Sequence, residues 1–163
     1  MPDLDHWARG FDMIVLEGCD GVGKTTLAAR LAAAHGFAVV HSTVTPDDVD
    51  IVQRYLAVLG DPRRLLLDRS FVSELVYGPL VRGRSRLTLS QVIDLAQVVR
   101  DRTGTFVHLT ASTTVILARL RNRADATVPT AATIERIQHA YTCIFAEIAS
   151  CAPVAQMDTT QAQ

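Results

Sequence analysis

The pattern of apolar segments predicts an α/β fold, one domain on a mainly parallel, five-stranded sheet. Three observations carry this. Short apolar runs alternate with longer segments of helical periodicity across 163 residues. The short runs are apolar throughout rather than alternating, as strands covered on both faces must be. A glycine-rich loop joins the first strand to the first helix.

Met13 to Leu16 is the first apolar run and ends at Glu17; residues 25–35 follow as an alanine-rich helix with Leu27, Leu31 and Ala34 in helical spacing. Residues 37–41 read as a second strand, and residues 46–59, with Val49, Val52, Leu56 and Leu59, as a helix broken by Gly60, Asp61 and Pro62. Residues 65–67 form a third strand ending at Asp68, a short helix spans 71–77, and Arg82, Gly83, Arg84, Ser85 and Arg86 form a basic loop. Thr88 and Gln91 have capping-box spacing and open a helix through about Arg100 that buries Val92, Leu95, Ala96 and Val99. Next come a strand at 105–109, a helix at 113–121 with an arginine-rich end, and a long helix whose apolar face is Ile134, Ile137, Tyr141, Phe145 and Ile148. Residues 153–157 complete the sheet, and the tail after Thr159 is expected to be loose.

Composition narrows the function classes. At 48% hydrophobic and 20% charged residues with a formal net charge of -1, the chain is an ordinary globular protein without global attraction for nucleic acid or anionic membrane. Cys19, Cys143 and Cys151 are odd in number and lack CxxC pairing, which predicts reduced thiols and a cytoplasmic location. Cys19 reads as a small residue filling a variable loop position. No run of 18 apolar residues occurs, and the opening Asp3, Asp5 and His6 are unlike a signal segment, so neither export nor membrane insertion is expected.

Residues 18–25, Gly18, Cys19, Asp20, Gly21, Val22, Gly23, Lys24 and Thr25, fit GxxxxGK[ST] at every fixed position, with Thr26 extending the loop into the helix. Glycines let the backbone wrap a polyphosphate closely enough for successive N–H groups to reach its oxygens. Lys24 adds positive charge for the β and γ phosphates, Thr25 offers a hydroxyl to Mg²⁺, and the helix presents its positive dipole end. ATP and Mg²⁺ are the ligands this pattern predicts.

Asp68, Arg69 and Ser70 directly follow an apolar strand, where ligands of a doubly wound sheet bind. Asp68 is placed to organise a metal, to accept a proton, or to cap the next helix. Arg69 is placed either to grip an anionic acceptor through two hydrogen bonds or to lie at the surface.

The stretch EGCDGVGKTT at 17–26 resembles the phosphate loop of thymidylate kinases and related deoxynucleoside monophosphate kinases. Residues 68–78, DRSFVSELVYG, line up with that family's DRYxxSxxAYQ, matching at Asp68, Arg69, Ser73 and Tyr77. Residues 78–88 are similar to small phage-type relatives, and the likeness extends over most of 12–158. The resemblance implies a P-loop kinase of three α/β/α layers with a short arginine-containing lid, and a homodimer. It implies transfer of a phosphoryl group from ATP to a deoxynucleoside monophosphate. Asp20 would face the acceptor's 3′-hydroxyl, Arg69 would hold its phosphate and Asp68 would help organise the metal. Two departures leave the acceptor base open: Gly78 replaces a Gln near the base, leaving room there for a larger base or ring substituent, and Ser70 replaces an aromatic residue.

The RLRNRAD segment lies where this family places its lid. Arg119 and Arg123 are four apart and share a helix face; Arg121 diverges from both. Closing, they would neutralise developing charge and exclude water. Arg82, Arg84 and Arg86 form either part of the acceptor pocket or a basic surface patch. Tyr77 or Phe71 either stacks on a base or belongs to the core. His41 and His108 are expected in the core. Two alternatives stay open: phosphorylation of a hydroxyl on a nucleoside or hydroxymethylated pyrimidine, free or in DNA, and a regulatory ATPase. The second lacks a guanine-reading NKxD and leaves DRxxxS unexplained.

Overall fold

The computed structural model describes residues 4–123 and 127–161. Asp3 and the end of the arginine-rich segment at 124–126 lie outside the described residues. The elements are α1 (Leu4–Ala8), β1 (Met13–Glu17), α2 (Lys24–His35), β2 (Ala38–His41), α3 (Ile51–Leu59) and β3 (Leu65–Asp68). They continue with α4 (Val72–Arg82), α5 (Leu89–Asp101), β4 (Gly104–Thr110), α6 (Thr113–Arg121), α7 (Ala131–Ile148) and β5 (Val154–Asp158).

All strand pairs are parallel and the sheet order is β2-β3-β1-β4-β5. The central strands β1 and β3 are buried at every position, so helices cover both faces of the sheet, as their unbroken apolar runs require. On one side α2 packs on β1, β2 and β3; α5 and α7 pack on β4, with α4 and α6 against α7. Phe106 and His108 of β4 project toward α7: the rings of Phe106 and Phe145 lie 6.1 Å apart edge-on, and His108 stacks on Phe145 at 4.8 Å. His108 is therefore a core residue, as expected.

Helix boundaries follow local hydrogen bonding. The Thr88–Gln91 capping box forms in full. The predicted α7 face, Ile134, Ile137, Tyr141, Phe145 and Ile148, is buried throughout. Helix α3 starts at Ile51 rather than near Pro46, because the Asp50 carboxylate accepts from the N–H groups of Val52 and Gln53 (2.9 and 3.1 Å). The preceding segment is drawn elsewhere by Arg54, which donates to the Thr43 carbonyl (3.1 Å) and the Thr45 hydroxyl. Helix α4 runs past the expected stop at Tyr77, through Gly78 and Pro79, to Arg82. Proline normally breaks a helix interior; here Arg82 pairs with Glu74 two turns back, and Gly83, in the left-handed region, closes the end on the Pro79 carbonyl. The short helix α1 has no counterpart among the elements expected from sequence. Among the described residues, no helix is long and apolar enough to cross a membrane.

Two outcomes test this description. Thr88→Ala removes the cap of α5 and should lower the urea-unfolding free energy by about 1 kcal/mol, with the m-value unchanged. Burial lowers the His108 pKa from its ordinary 6.5 to about 4. Between those values the unfolded chain takes up a proton that the folded chain refuses, so stability falls as pH is lowered from 6.5 toward 4. The urea midpoint should drop over that interval less in His108→Phe than in the wild type; parallel curves would assign the loss to other groups.

Candidate active site

The loop after β1 depends on backbone conformations that side chains resist. Gly18, Gly21 and Gly23 have φ of 148°, 86° and 95°, and a Cβ on Gly18 would lie 2.3 Å from the Leu109 carbonyl oxygen. The loop thus sits directly on the end of β4. Gly23 starts α2 with no side-chain cap, which leaves the first-turn N–H groups and the positive helix end to a ligand. Cys19 and Val22 bury their side chains and shape the loop through backbone. Burial pushes the Cys19 pKa up, so a protonated thiol fits the space-filling reading.

Lys24 folds back over the loop, its Nζ donating to the carbonyls of Gly18 (2.8 Å) and Cys19 (2.9 Å) and lying 3.7 Å from Asp20 Oδ1. Burial pushes its pKa down, while Glu17 and then Asp68 oppose the shift. Thr25 Oγ1 donates to Asp68 Oδ2 at 2.7 Å, bringing oxygens from the loop and from the end of β3 together. Among the described residues no cluster of three or more His, Cys, Asp or Glu could hold a metal unaided. A hydroxyl beside a carboxylate does fit Mg²⁺, which takes one or two protein oxygens and completes its shell with phosphate and water.

His41 departs from expectation. It is the exposed last residue of β2, and its Nδ1 is 3.1 Å from Asp68 Oδ2. Its register partner on β3 is Asp68; the shared strand-end position was the sequence signal that could have placed it in the site.

Arg69 occupies the left-handed region with φ of 72°, costly for a residue that carries a Cβ. Its N–H donates to the Leu16 carbonyl (3.0 Å), its guanidinium pairs with Asp20, and it sits 5.4 Å from the Tyr77 ring centre. The Asp20 N–H donates to the Tyr77 hydroxyl at 3.2 Å. Asp20, Arg69 and Tyr77 therefore converge. Arg69 lines three adjoining cavities. One, of about 190 Å³, also holds Lys24, Thr25 and Asp68. Another lies between Tyr77, Leu120 and Ile137, and the third is bordered by Tyr55, Ser73, Glu74 and Arg82.

Arg119, Arg121 and Arg123 differ in what they reach. Arg123 lines both the cavity of Lys24 and Asp68 and a cavity bounded by Thr26, Arg119 and Met157. Arg119 donates to the carbonyls of Gly21 (3.3 Å) and Thr159 (2.8 Å) and to the Thr159 hydroxyl (3.1 Å), locking the loop to the chain after β5. Thr159, the residue before the tail expected to be loose, is buried and donates to the Val22 carbonyl at 2.7 Å. Arg121 is exposed.

Three expectations on the acceptor side are corrected. Phe71 is fully buried, packed edge-on between Tyr55 (5.5 Å) and Phe106 (6.1 Å); it belongs to the core and does not stack on a ligand. Arg84 is exposed and outside the lining of the cavities around Arg69. The missing side chain of Gly78 opens no extra space for a larger base, because a Cβ there would lie 2.8 Å from Glu74 Oε1 and 3.0 Å from the Arg84 carbonyl oxygen, although Gly78 itself borders the third cavity. The space is filled by the following loop, held where Glu74 accepts the Arg86 N–H at 2.8 Å. Glu74 and Arg82, paired at the wall of the third cavity, take that place; neither spacing nor composition marks Glu74.

Neither a protein-family model nor a curated protein sequence matches the chain. Solved structures do. The YorR protein of Bacillus subtilis, in complex with phosphorylated GDP, superposes with a TM-score of 0.79 at 24% identity, covering 91% of this chain and 86% of that one. Deoxyadenosine kinase from M. mycoides with bound dATP gives 0.57 at 15% identity over 90% of each chain. Shikimate kinase from Acinetobacter baumannii with shikimate gives 0.54 at 15% identity, over 96% of this chain and 88% of that one. The chain has the fold of these proteins: a five-stranded parallel sheet between helices, with the glycine loop at the end of its central strand.

Proposed function

We propose that the chain is a kinase that moves the γ phosphate of ATP to a deoxynucleoside monophosphate, giving the diphosphate. One observation carries this: Arg69 lines the Lys24–Thr25–Asp68 cavity and, at the same time, the cavity of Ser73, Glu74 and Tyr77. A single guanidinium between two cavities suits a reaction that brings two anions together, where catalysis is chiefly positioning and charge neutralisation. In this reading the loop N–H groups and Lys24 hold the donor phosphates, Arg69 holds the acceptor phosphate, and Arg123 reaches the charge shared between them. Thr25 and Asp68 would hold Mg²⁺, which lowers the repulsion between phosphate oxygens. Asp20 then serves the acceptor sugar once phosphate has replaced it on Arg69. The known ligands of similar folds, dATP for one neighbour and phosphorylated GDP for another, support a nucleotide. The net charge of -1 favours a small acceptor over DNA.

A second reading, transfer to a hydroxyl, is favoured by one contact: His41 Nδ1 against Asp68 Oδ2 at 3.1 Å. A carboxylate that orients an imidazole can serve proton removal from a hydroxyl.

Incubation with ATP, Mg²⁺ and a panel of deoxynucleosides, their monophosphates and hydroxymethylated DNA separates these readings. A diphosphate product that requires a monophosphate is expected; ADP formed equally fast without acceptor would sink both. Lys24→Met should lower transfer at least about 100-fold while the thermal melt is retained. Arg69→Ala should raise the acceptor KM about tenfold or more with a smaller effect on the ATP KM. Unchanged acceptor kinetics would remove Arg69 from its role.

A further inference from the structure

Glu17 lines none of the cavities around Arg69, yet it is fully buried at the end of β1 and serves three elements. Its Oε1 accepts the N–H and the hydroxyl of Ser70 (2.7 and 2.8 Å). Its Oε2 accepts the hydroxyls of Ser73 (2.7 Å) and Tyr141 (3.1 Å). Every one of these partners donates, which an ionised carboxylate satisfies on both oxygens and a carboxamide satisfies on one only. Two of the four bonds fall on the residue directly after Arg69, and a third falls on the first turn of α4.

That placement bears on Arg69, whose left-handed φ of 72° is held only from outside. On one side its own N–H is tied to the Leu16 carbonyl at 3.0 Å. On the other, the next N–H is tied to Glu17. Both anchors belong to consecutive residues of β1, so the turn is registered to the same strand that carries the phosphate loop.

We propose that Glu17 is the positioning residue of the acceptor-binding arginine: its carboxylate, bonded to Ser70 and Ser73, fixes the turn that aims Arg69 between the two phosphate sites. This rests on the kinase reading above. Glu17 touches no substrate and acts only through Arg69.

Steady-state kinetics of Glu17→Gln, with ATP and the monophosphate that the wild type uses best, tests it. The acceptor KM should rise about tenfold or more while the ATP KM moves less than about twofold. Equal rises in both, a fall in kcat alone, or no change would overturn the assignment. Ser73→Ala, which keeps the carboxylate and removes one donor, should move the acceptor KM the same way by a smaller factor. It decides the matter if Glu17→Gln does not fold, no shift in its acceptor KM counting against the role. A readout without turnover separates this inference from the kinase reading: phenylglyoxal labelling of Arg69, mapped by mass spectrometry against Arg82 in the same molecule. Labelling of Arg69 should rise several-fold in Glu17→Gln, or in Ser73→Ala if the former does not fold; equal labelling would overturn the role of Glu17. Absence of transfer to any acceptor by the wild type would remove only the kinase reading.

Discussion

Two titratable side chains withdrawn from water at the end of the central strand constrain everything near them, burial pushing the Glu17 pKa up and the Lys24 pKa down. Glu17 is fully buried and Lys24 is 6% exposed, and a buried ion without partners costs several kcal/mol. The chain must therefore bring acceptors to one and donors to the other. Lys24 takes the carbonyls of Gly18 and Cys19, which forces the loop to double back through left-handed glycines. Glu17 takes hydroxyls from α4 and α7 and an N–H from the turn before α4. The shape of the loop, the start of α4 and the seat of α7 are thus linked through the solvation of two side chains.

Sheet order determines which residues can share this neighbourhood. β1 lies between β3 and β4, so the chain leaves the central strand toward one neighbour and returns on the other, opening a crevice at the carboxyl ends. β3 delivers Asp68 and Arg69 on one flank, and β2 places His41 one strand further out. On the other flank β4 supplies the Leu109 carbonyl against which Gly18 packs, and the chain after β5 reaches in through Thr159. Loops from all five strands converge on a polyphosphate-sized region without any of them being long.

Features written locally were legible in the sequence. The glycine loop, the apolar strands, the Thr88 capping box and the buried face of α7 each depend on residues within a few positions of one another, and all appear as expected. What escaped depends on partners far along the chain. The expected end of α4 at Tyr77 falls just before Gly78 and Pro79, but the pairing of Glu74 with Arg82 and the packing of the 84–86 loop on Gly78 outweigh the hydrogen bond that Pro79 loses. His41, the last residue of the expected strand, was expected in the core and proved to be exposed beside Asp68. Phe71 carried the composition of a stacking platform, and only Tyr55 and Phe106 show it to be core. Glu17 was visible as a strand terminus, but its four donors lie 53 to 124 residues away, beyond any periodicity.

On the proposed kinase reading, a region that gathers several phosphate charges has a complementary difficulty when none is bound, because its cations then face one another. Lys24 and Arg69 both lie against Asp20, the first at 3.7 Å and the second in direct ion pairing. Asp20 thus stands where an anion is wanted, at a position the phosphate pattern leaves variable. Its side chain is 40% exposed and that of Arg69 34%, so the pair is screened and contributes little to stability. A weak pair is what such a place requires. A phosphate would offer Arg69 two oxygens in the geometry its fork matches, so on that reading exchange would be favourable without a deep electrostatic well to escape. The buried groups, Glu17 and Lys24, lie deeper and hold the frame within which, on the proposed reading, the outer pair would change partners.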